Sequence, residues 1–468
     1  MRKVLIPLVA AGLIAAVVIS SGGNGGEDTT PDVDLSTIAG GEVLNFGPAP
    51  PAPDGPWSPE VTATLSGVVN ALGVGSVPQA ELDALGASGD PRLAWALADL
   101  LNFIGPGEAS TALQGAISEM LGIELDPFQP WNYTIQHLIA WDTPAPPEYF
   151  DFKRNFYSQV DQRWSSLLVE DSTIDWRLVG WGGVFVDDRP AGSTANCNCI
   201  PALDDPAVTP AEEGGWYPDD LIVFGLVVGD EARAYPKNIM EVHEMVNDTI
   251  GGRRIAMPYC TLCGSAQAFY TDTLGEEFEQ PVLRTSGLLN RSNKMMYDLP
   301  TQSFVDTFTG RATAGPLLEA DVVFEQASVV TATWGDWKVS HPDTTIVAED
   351  GGIGRTYELD PLAGRDDNGP IFPIGPVDPR LPVQEPVLGV RNDAGDPIAV
   401  HVATARSLLA DGDEIVFDGI TLELDAGGVR AIRADGSDAS GHQSFWFAWS
   451  QFWPDTKLWP HDWVEPAS

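Results

Sequence analysis

Two short patterns occur twice in this chain, in the same order. Val223-Phe224-Gly225-Leu226, followed after a turn by Ala234, is matched by Val387-Leu388-Gly389-Val390, followed after a turn by Ala399. Downstream, Trp334 and Trp337 lead into His341-Pro342-Asp343-Thr344, while Trp446 and Trp449 lead into Trp453-Pro454-Asp455-Thr456. Two matches in one order are the mark of an internal duplication, because each pattern recurs with the spacing its local structure needs. The chain is therefore expected to contain two related β-rich halves, at 175–347 and 380–465, joined by a Gly/Asp/Pro-rich connection. The tryptophan pairs have i, i+3 spacing, which puts both rings on one helix face and makes them packing elements.

Upstream of the repeat the texture is helical. Ser58-Pro59 and Asp90-Pro91 read as N-caps followed by proline in the first turn, where its missing N–H is harmless. Leu93, Leu97, Leu100, Leu101 and Ile104 then recur at helical spacing, Gly105-Pro106-Gly107 stops the run, and Leu113, Ile117, Met120 and Leu121 continue in another helix. The fold class is α+β: a small amino-terminal helical unit at 57–165, either HEAT-like or a simple bundle, followed by a β-rich domain at 175–468. A length of 468 residues fits two or three such bodies. The helical unit is a candidate docking surface for a protein partner.

The amino terminus reads Met1-Arg2-Lys3, then an apolar run from Val4 to Ile19, then Ser20-Ser21-Gly22-Gly23. Basic, apolar, small and polar in that order is an export signal at 1–23, with retention as an anchor the alternative. This predicts an extracytoplasmic protein that meets the membrane only through residues 4–19. Residues 24–56, with Pro48, Pro50, Pro51 and Pro53, have too little to bury and read as a disordered linker. With 67 acidic against 25 basic residues the formal charge is −42, which argues against nucleic acid or anionic lipid as a partner through repulsion.

One region concentrates reactive side chains: Val242-His243-Glu244-Met245-Val246-Asn247-Asp248, then Met257-Pro258-Tyr259-Cys260-Thr261-Leu262-Cys263-Gly264. A Cys-x-x-Cys pair closes as a disulfide, cycles between dithiol and disulfide, or holds a soft metal. An oxidising compartment favours the disulfide. A thioredoxin fold is not expected, since no βαβ unit precedes the pair. His243 lies seventeen residues before Cys260, and Met257, Met295 and Met296 add thioethers. Thiolate, imidazole and thioether suit copper(I), and two cysteines with two further ligands suit zinc. Cys260, Cys263, His243 and Met296 are thus the candidate metal ligands, with Cys260, Cys263, Cys197 and Cys199 the candidates for disulfide or redox chemistry. Cys197-x-Cys199 is expected to resist closing on itself, because the linkage is strained in an extended strand, and so to bridge to Cys260 and Cys263 or complete a four-cysteine zinc site.

Other readings of the region are weaker. His243 beside Glu244 invites a hydrolase, yet no Gly-x-Ser-x-Gly, His-Glu-x-x-His or phosphate-binding glycine loop accompanies it. Asn247-Asp248-Thr249 reads as a turn. Asp366-Asp367-Asn368-Gly369 offers oxygens for calcium without EF-hand spacing. No reaction or substrate follows from these residues.

The His-Glu-x-x-Asn-Asp and Tyr-Cys-x-Leu-Cys stretches resemble the family known as domain of unknown function 3179. Similar to it as well are Ile200-Pro201-Ala202-Leu203 with Asp205-Pro206, Ala234-Tyr235-Pro236, Ser286-Gly287-Leu288-Leu289, Met296-Tyr297-Asp298, Thr309-Gly310 and Phe445-Trp446-Phe447-Ala448-Trp449. The resemblance covers residues 195–465 and implies no activity. The family pattern has the Ile-Pro-Ala-Leu stretch without the Cys197/Cys199 pair, so a four-cysteine site would be peculiar to this chain. It also has a more aromatic segment near 366–369, where no shared role carries over.

Overall fold

The computed structural model describes residues 28, 30, 31, 33–169 and 172–462. The expected signal at 1–23 lies outside them. Among the described residues no helix is long and apolar enough to cross a membrane.

Six helices, Pro59–Gly73, Gln79–Ala87, Leu93–Asn102, Glu108–Leu121, Pro130–Ala140 and Pro147–Val160, build the amino-terminal unit. Ser58 caps the first, its hydroxyl accepting from the Val61 N–H at 3.2 Å, with Pro59 in the opening turn. Asp90 acts one turn ahead of its helix. Its carboxylate accepts from the Arg92 N–H at 3.1 Å and pairs with the Arg92 guanidinium at 2.7 Å, and the helix begins at Leu93. Every residue from Leu93 to Leu101 is buried, so this is the central helix about which the others pack. Even Asp99 is buried there, held by the Tyr149 and Tyr157 hydroxyls and the Lys153 ammonium. Lys153 also donates to the Val179 carbonyl at 2.5 Å, which ties the helices to the first strand of the β-rich part.

The expected linker does not run free. Gly41 N–H donates to the Pro379 carbonyl at 2.9 Å, Trp141 donates to the Gly47 carbonyl at 3.1 Å, and Val33 and Ile38 pack on the apolar clusters of the second half. A segment too poor in apolar residues to make its own core borrows one from its neighbours.

The duplication is structural. In the first half, strands Val330–Thr333, Ile222–Val228, Glu231–Pro236 and Thr345–Val347 lie side by side in that order, the last pair parallel. In the second, His442–Phe445, Pro386–Arg391, Pro397–His401 and Lys457–Trp459 repeat the order and the parallel closing pair. Gly225 pairs with Ala234 as Gly389 pairs with Ala399. The tryptophan helices Trp334–Ser340 and Trp446–Phe452 occupy equivalent places. Each lays its second indole on the sheet glycine so closely that a Cβ would come 2.1 Å from the ring at Gly225 and again at Gly389. Each indole N–H then reaches the threonine of the Pro-Asp-Thr turn: Trp337 to Thr344 at 3.0 Å, Trp449 to Thr456 at 2.9 Å.

Two further sheets belong to the first half and carry the reactive residues. One has the order Glu325–Ala327, Ala268–Tyr270, Arg253–Cys260, Met245–Ile250, Leu203–Asp204. The other is antiparallel throughout: Val179–Trp181, Leu283–Asn290, Asn293–Asp298, Phe304–Asp306, Ala312–Ala314.

Candidate functional site

Strand Arg253–Cys260 ends in a single 3₁₀ turn, Thr261–Cys263, and the chain doubles back through Ser265–Ala266, which pairs with Tyr259 and Cys260. Gly264 makes the reversal. Its φ of +58° is left-handed, and a Cβ there would press on the Phe445 ring at 3.0 Å. The loop is thereby wedged against the second half, and Cys260 and Cys263 pack with Phe308, Trp446 and Phe447. Both are free thiols and both are buried.

A lysine closes the site from the other sheet. Asn290 and Asn293 pair across the two-residue turn Arg291-Ser292, both at positive φ, and the hairpin brings Lys294 over the end of the cysteine strand. Its ammonium spends all three protons locally, on the Glu244 carbonyl at 2.7 Å, the Tyr259 carbonyl at 2.8 Å and the Glu244 carboxylate at 2.6 Å. Glu244 is set for this by its left-handed backbone, φ 51°, at the end of helix Lys237–His243, and Thr261 donates to its second carboxylate oxygen at 3.2 Å.

The electrostatics separate the two sulfurs. Burial pushes the Cys260 thiol up, but a hydrogen bond from Cys263, the Lys294 ammonium and the Lys294 backbone N–H outweigh it and hold it below its ordinary value. Burial, with the neighbouring Cys260, pushes Cys263 well above its own. Cys263 rests against the Ser292 carbonyl at 3.5 Å. Cys260, not Cys263, lines a cavity of about 330 Å³, whose wall includes Lys294, Glu244, Glu241, Val184, Ile200 and Thr285. Glu241 there is raised to about 7 by burial, against the opposing pull of Lys237. Leu362, Arg365 and Phe372 of the connection between the halves complete the wall.

The expected ligands do not converge on the dithiol. Among the described residues, the trio of His, Cys, Asp or Glu close enough to share an ion is Asp187 with Cys197 and Cys199, and neither Cys260 nor Cys263 belongs to one. His243 has both ring nitrogens engaged, Nδ1 donating to the Pro201 carbonyl at 2.6 Å and Nε2 accepting from the Tyr357 hydroxyl at 2.7 Å. No lone pair is left for a metal. Met295 and Met296 are consecutive in a strand and so point to opposite faces. Met296 packs with Met245, Ala256 and Phe269, Met295 with Trp164 and Tyr297, and Met257 with Phe224 and Tyr259. None of these clusters contains the cysteines.

Cys197 and Cys199 are bonded to each other, contrary to the expectation from an extended strand. A bend at Asn198 brings their Cα atoms to 5.1 Å, inside the usual disulfide span. Asn247-Asp248-Thr249 is likewise strand, not turn. The Asn247 amide imitates backbone, donating to the Leu283 carbonyl and accepting from the Leu283 N–H, 2.9 and 3.0 Å. Asp248 takes the Arg233 guanidinium at 2.6 Å and the Tyr235 hydroxyl at 2.9 Å. Asp366 accepts from Lys237 at 2.9 Å, so its carboxylate serves an ion pair.

The family model for Protein of unknown function (DUF3179) matches residues 197–432. The chain belongs to this family. No curated protein and no solved structure matches it. The matched span holds the cysteine loop, the lysine hairpin and the His-Glu-x-x-Asn-Asp stretch, whose four polar residues each fasten one piece of the site: His243 the Pro201 loop, Glu244 the lysine, Asn247 the neighbouring sheet, Asp248 the first-half strand.

His243 makes this fastening pH-dependent. Burial lowers it from 6.5 to about 4. The unfolded chain therefore binds a proton that the folded one refuses between those two values, so stability is full above pH 6.5 and falls as pH drops to 4. Wild type is expected to lose about 3 kcal/mol more over that interval than His243→Gln in urea titrations. Equal pH slopes would show that the imidazole is not held neutral.

Proposed function

We propose that this protein is an extracytoplasmic dithiol–disulfide exchange protein, with Cys260 as the attacking thiolate and Cys263 as the resolving thiol. The observation that carries the reading is the asymmetry of the pair: one sulfur faces a cavity beside an ammonium, and the other stands behind it, against the Ser292 carbonyl. Cys260 thiolate attacks one sulfur of a substrate disulfide. The S–S bond breaks, a mixed disulfide forms, and the departing thiolate takes the proton of Cys263. The Cys263 thiolate then attacks Cys260, forms the intramolecular disulfide and expels the second substrate thiolate, which is protonated from water. Two electrons pass from the protein to the substrate, and an external thiol returns them. Glu241, which burial raises to about 7, shares the cavity wall with Cys260. The extracytoplasmic placement rests on the basic and apolar residues at 1–19.

A chromogenic aromatic disulfide tests this. With Cys197–Cys199 left as a disulfide, wild type reduced at Cys260 and Cys263 should release two equivalents of thiol per chain and end without an adduct. Cys263→Ser should release one and keep a stable mixed disulfide, and Cys260→Ser should release none from this site. A Cys260→Ser protein as reactive as wild type would end the proposal. So would purified wild type carrying an equivalent of copper or zinc that is lost in both cysteine variants.

A further inference from the structure

Cys260 is only 3% exposed, so a bulky thiol cannot meet it directly. Cys197 and Cys199, in contrast, lie in the irregular segment that follows the Ala191-Gly192 turn, and are part-exposed. Cys199 forms a parallel bridge with Phe185, whose N–H donates to the Asn198 carbonyl at 2.9 Å. The residues next to this bridge, Val184 and Ile200, are both wall residues of the cavity that Cys260 lines, and Thr285 of the same wall holds the Ile200 carbonyl at 2.8 Å. The disulfide thus sits in the segment next to two wall residues, Val184 and Ile200, and Cys260 lines the cavity that they bound.

We infer that Cys197 and Cys199 are a second redox pair, which accepts electrons from bulky external thiols and passes them across the cavity wall to Cys260 and Cys263. The inference rests on the dithiol reading of Cys260. Two external thiols reduce the outer disulfide and leave as their own disulfide. The Cys199 thiolate attacks the Cys260 sulfur of the oxidised inner pair, and the Cys260–Cys263 bond breaks towards Cys263, which takes the Cys197 proton. Cys197 thiolate then attacks Cys199, restoring the outer disulfide and releasing Cys260 as a thiolate. The Lys294 charge favours that last step, since a pair with a stabilised thiolate is favoured in its reduced form.

The test uses the full chain with both pairs oxidised and a thiol immobilised on a polymer too large for a cavity of about 330 Å³. Wild type should recover the Cys260 and Cys263 thiols, and Cys197→Ser/Cys199→Ser should recover them at least about tenfold more slowly, because rate follows access. Free dithiothreitol should reduce both proteins alike. A second protein, Cys197→Ser/Cys263→Ser, should trap a Cys199–Cys260 linked peptide on mild oxidation. Equal rates with the polymer thiol, or no linked peptide while Cys260 still reacts with the small disulfide, overturns the relay and leaves the dithiol reading standing. A Cys260/Cys263 pair that never oxidises overturns both.

Discussion

Trp449→Ala is expected to lower stability by about 3–5 kcal/mol, the range for emptying a buried large aromatic site. The side chain is 2% exposed and lies on Gly389, where no other residue fits beneath the ring. Its loss also takes the indole donor from the Thr456 hydroxyl, which keeps only its own bond to the Lys457 carbonyl at 3.3 Å. Gly389→Ala should act on the same contact from below and cost about 1–3 kcal/mol by overpacking, since the new methyl sits inside the ring's van der Waals radius. The pair must therefore be coupled: Gly389→Ala with Trp449→Ala should be destabilised by less than the sum of the singles, by about 1 kcal/mol or more. Urea denaturation of the four proteins measures this. Additive losses would mean that the glycine and the indole do not specify each other.

That coupling is also why the repeat was legible. A glycine inside a strand run and a tryptophan a hundred residues later have no local reason to recur together, and their joint recurrence in the second half reports a contact through space. The helical unit was legible for a simpler reason, the 3.6-residue spacing of Leu93 to Leu101 and the serine and proline of the first cap. The site was legible only in part. Cys260 and Cys263 announce themselves by spacing, but their electrostatic partner comes from Lys294, on a different sheet, and the hairpin that delivers it turns on Arg291-Ser292 instead of the usual asparagine and glycine. One signal was present: Lys294 is a lone lysine next to Met295-Met296-Tyr297, in a chain with few lysines, and a buried strand keeps a lysine only where its charge is satisfied. His243 is close to Cys260 in sequence, yet its ring nitrogens are held by the Pro201 carbonyl and the Tyr357 hydroxyl. The helix and strand do return past each other, but the imidazole faces the Pro201 loop. The Cys197–Cys199 disulfide goes with a bend at Asn198, next to the bridge of Cys199 to Phe185, and that bend has no sequence mark.

Lys294→Met is expected to separate the electrostatic from the structural role of the site. Taking away the ammonium leaves the part-buried Glu244 carboxylate, 15% exposed, and two carbonyls without their shared donor, so stability should fall by about 3 kcal/mol, the low end for breaking a buried ion pair. The Cys260 thiol should rise, because the attraction of Lys294 goes while the repulsion from Glu244 stays. Each unit of rise lowers the thiolate fraction at neutral pH tenfold, so alkylation of Cys260 by iodoacetamide at pH 7 should slow by at least about tenfold and its pH profile shift upward. A merely unfolded loop would do the opposite, exposing both sulfurs and speeding the reaction. Lys294→Met combined with Glu244→Gln removes the stranded carboxylate and should recover much of the stability, yet alkylation should recover only in part, since the repulsion from Glu244 goes but no cation is restored. An unchanged pH profile in Lys294→Met would show that the ammonium only braces two carbonyls, and Cys260 would then lose its claim to be the thiolate of this pair.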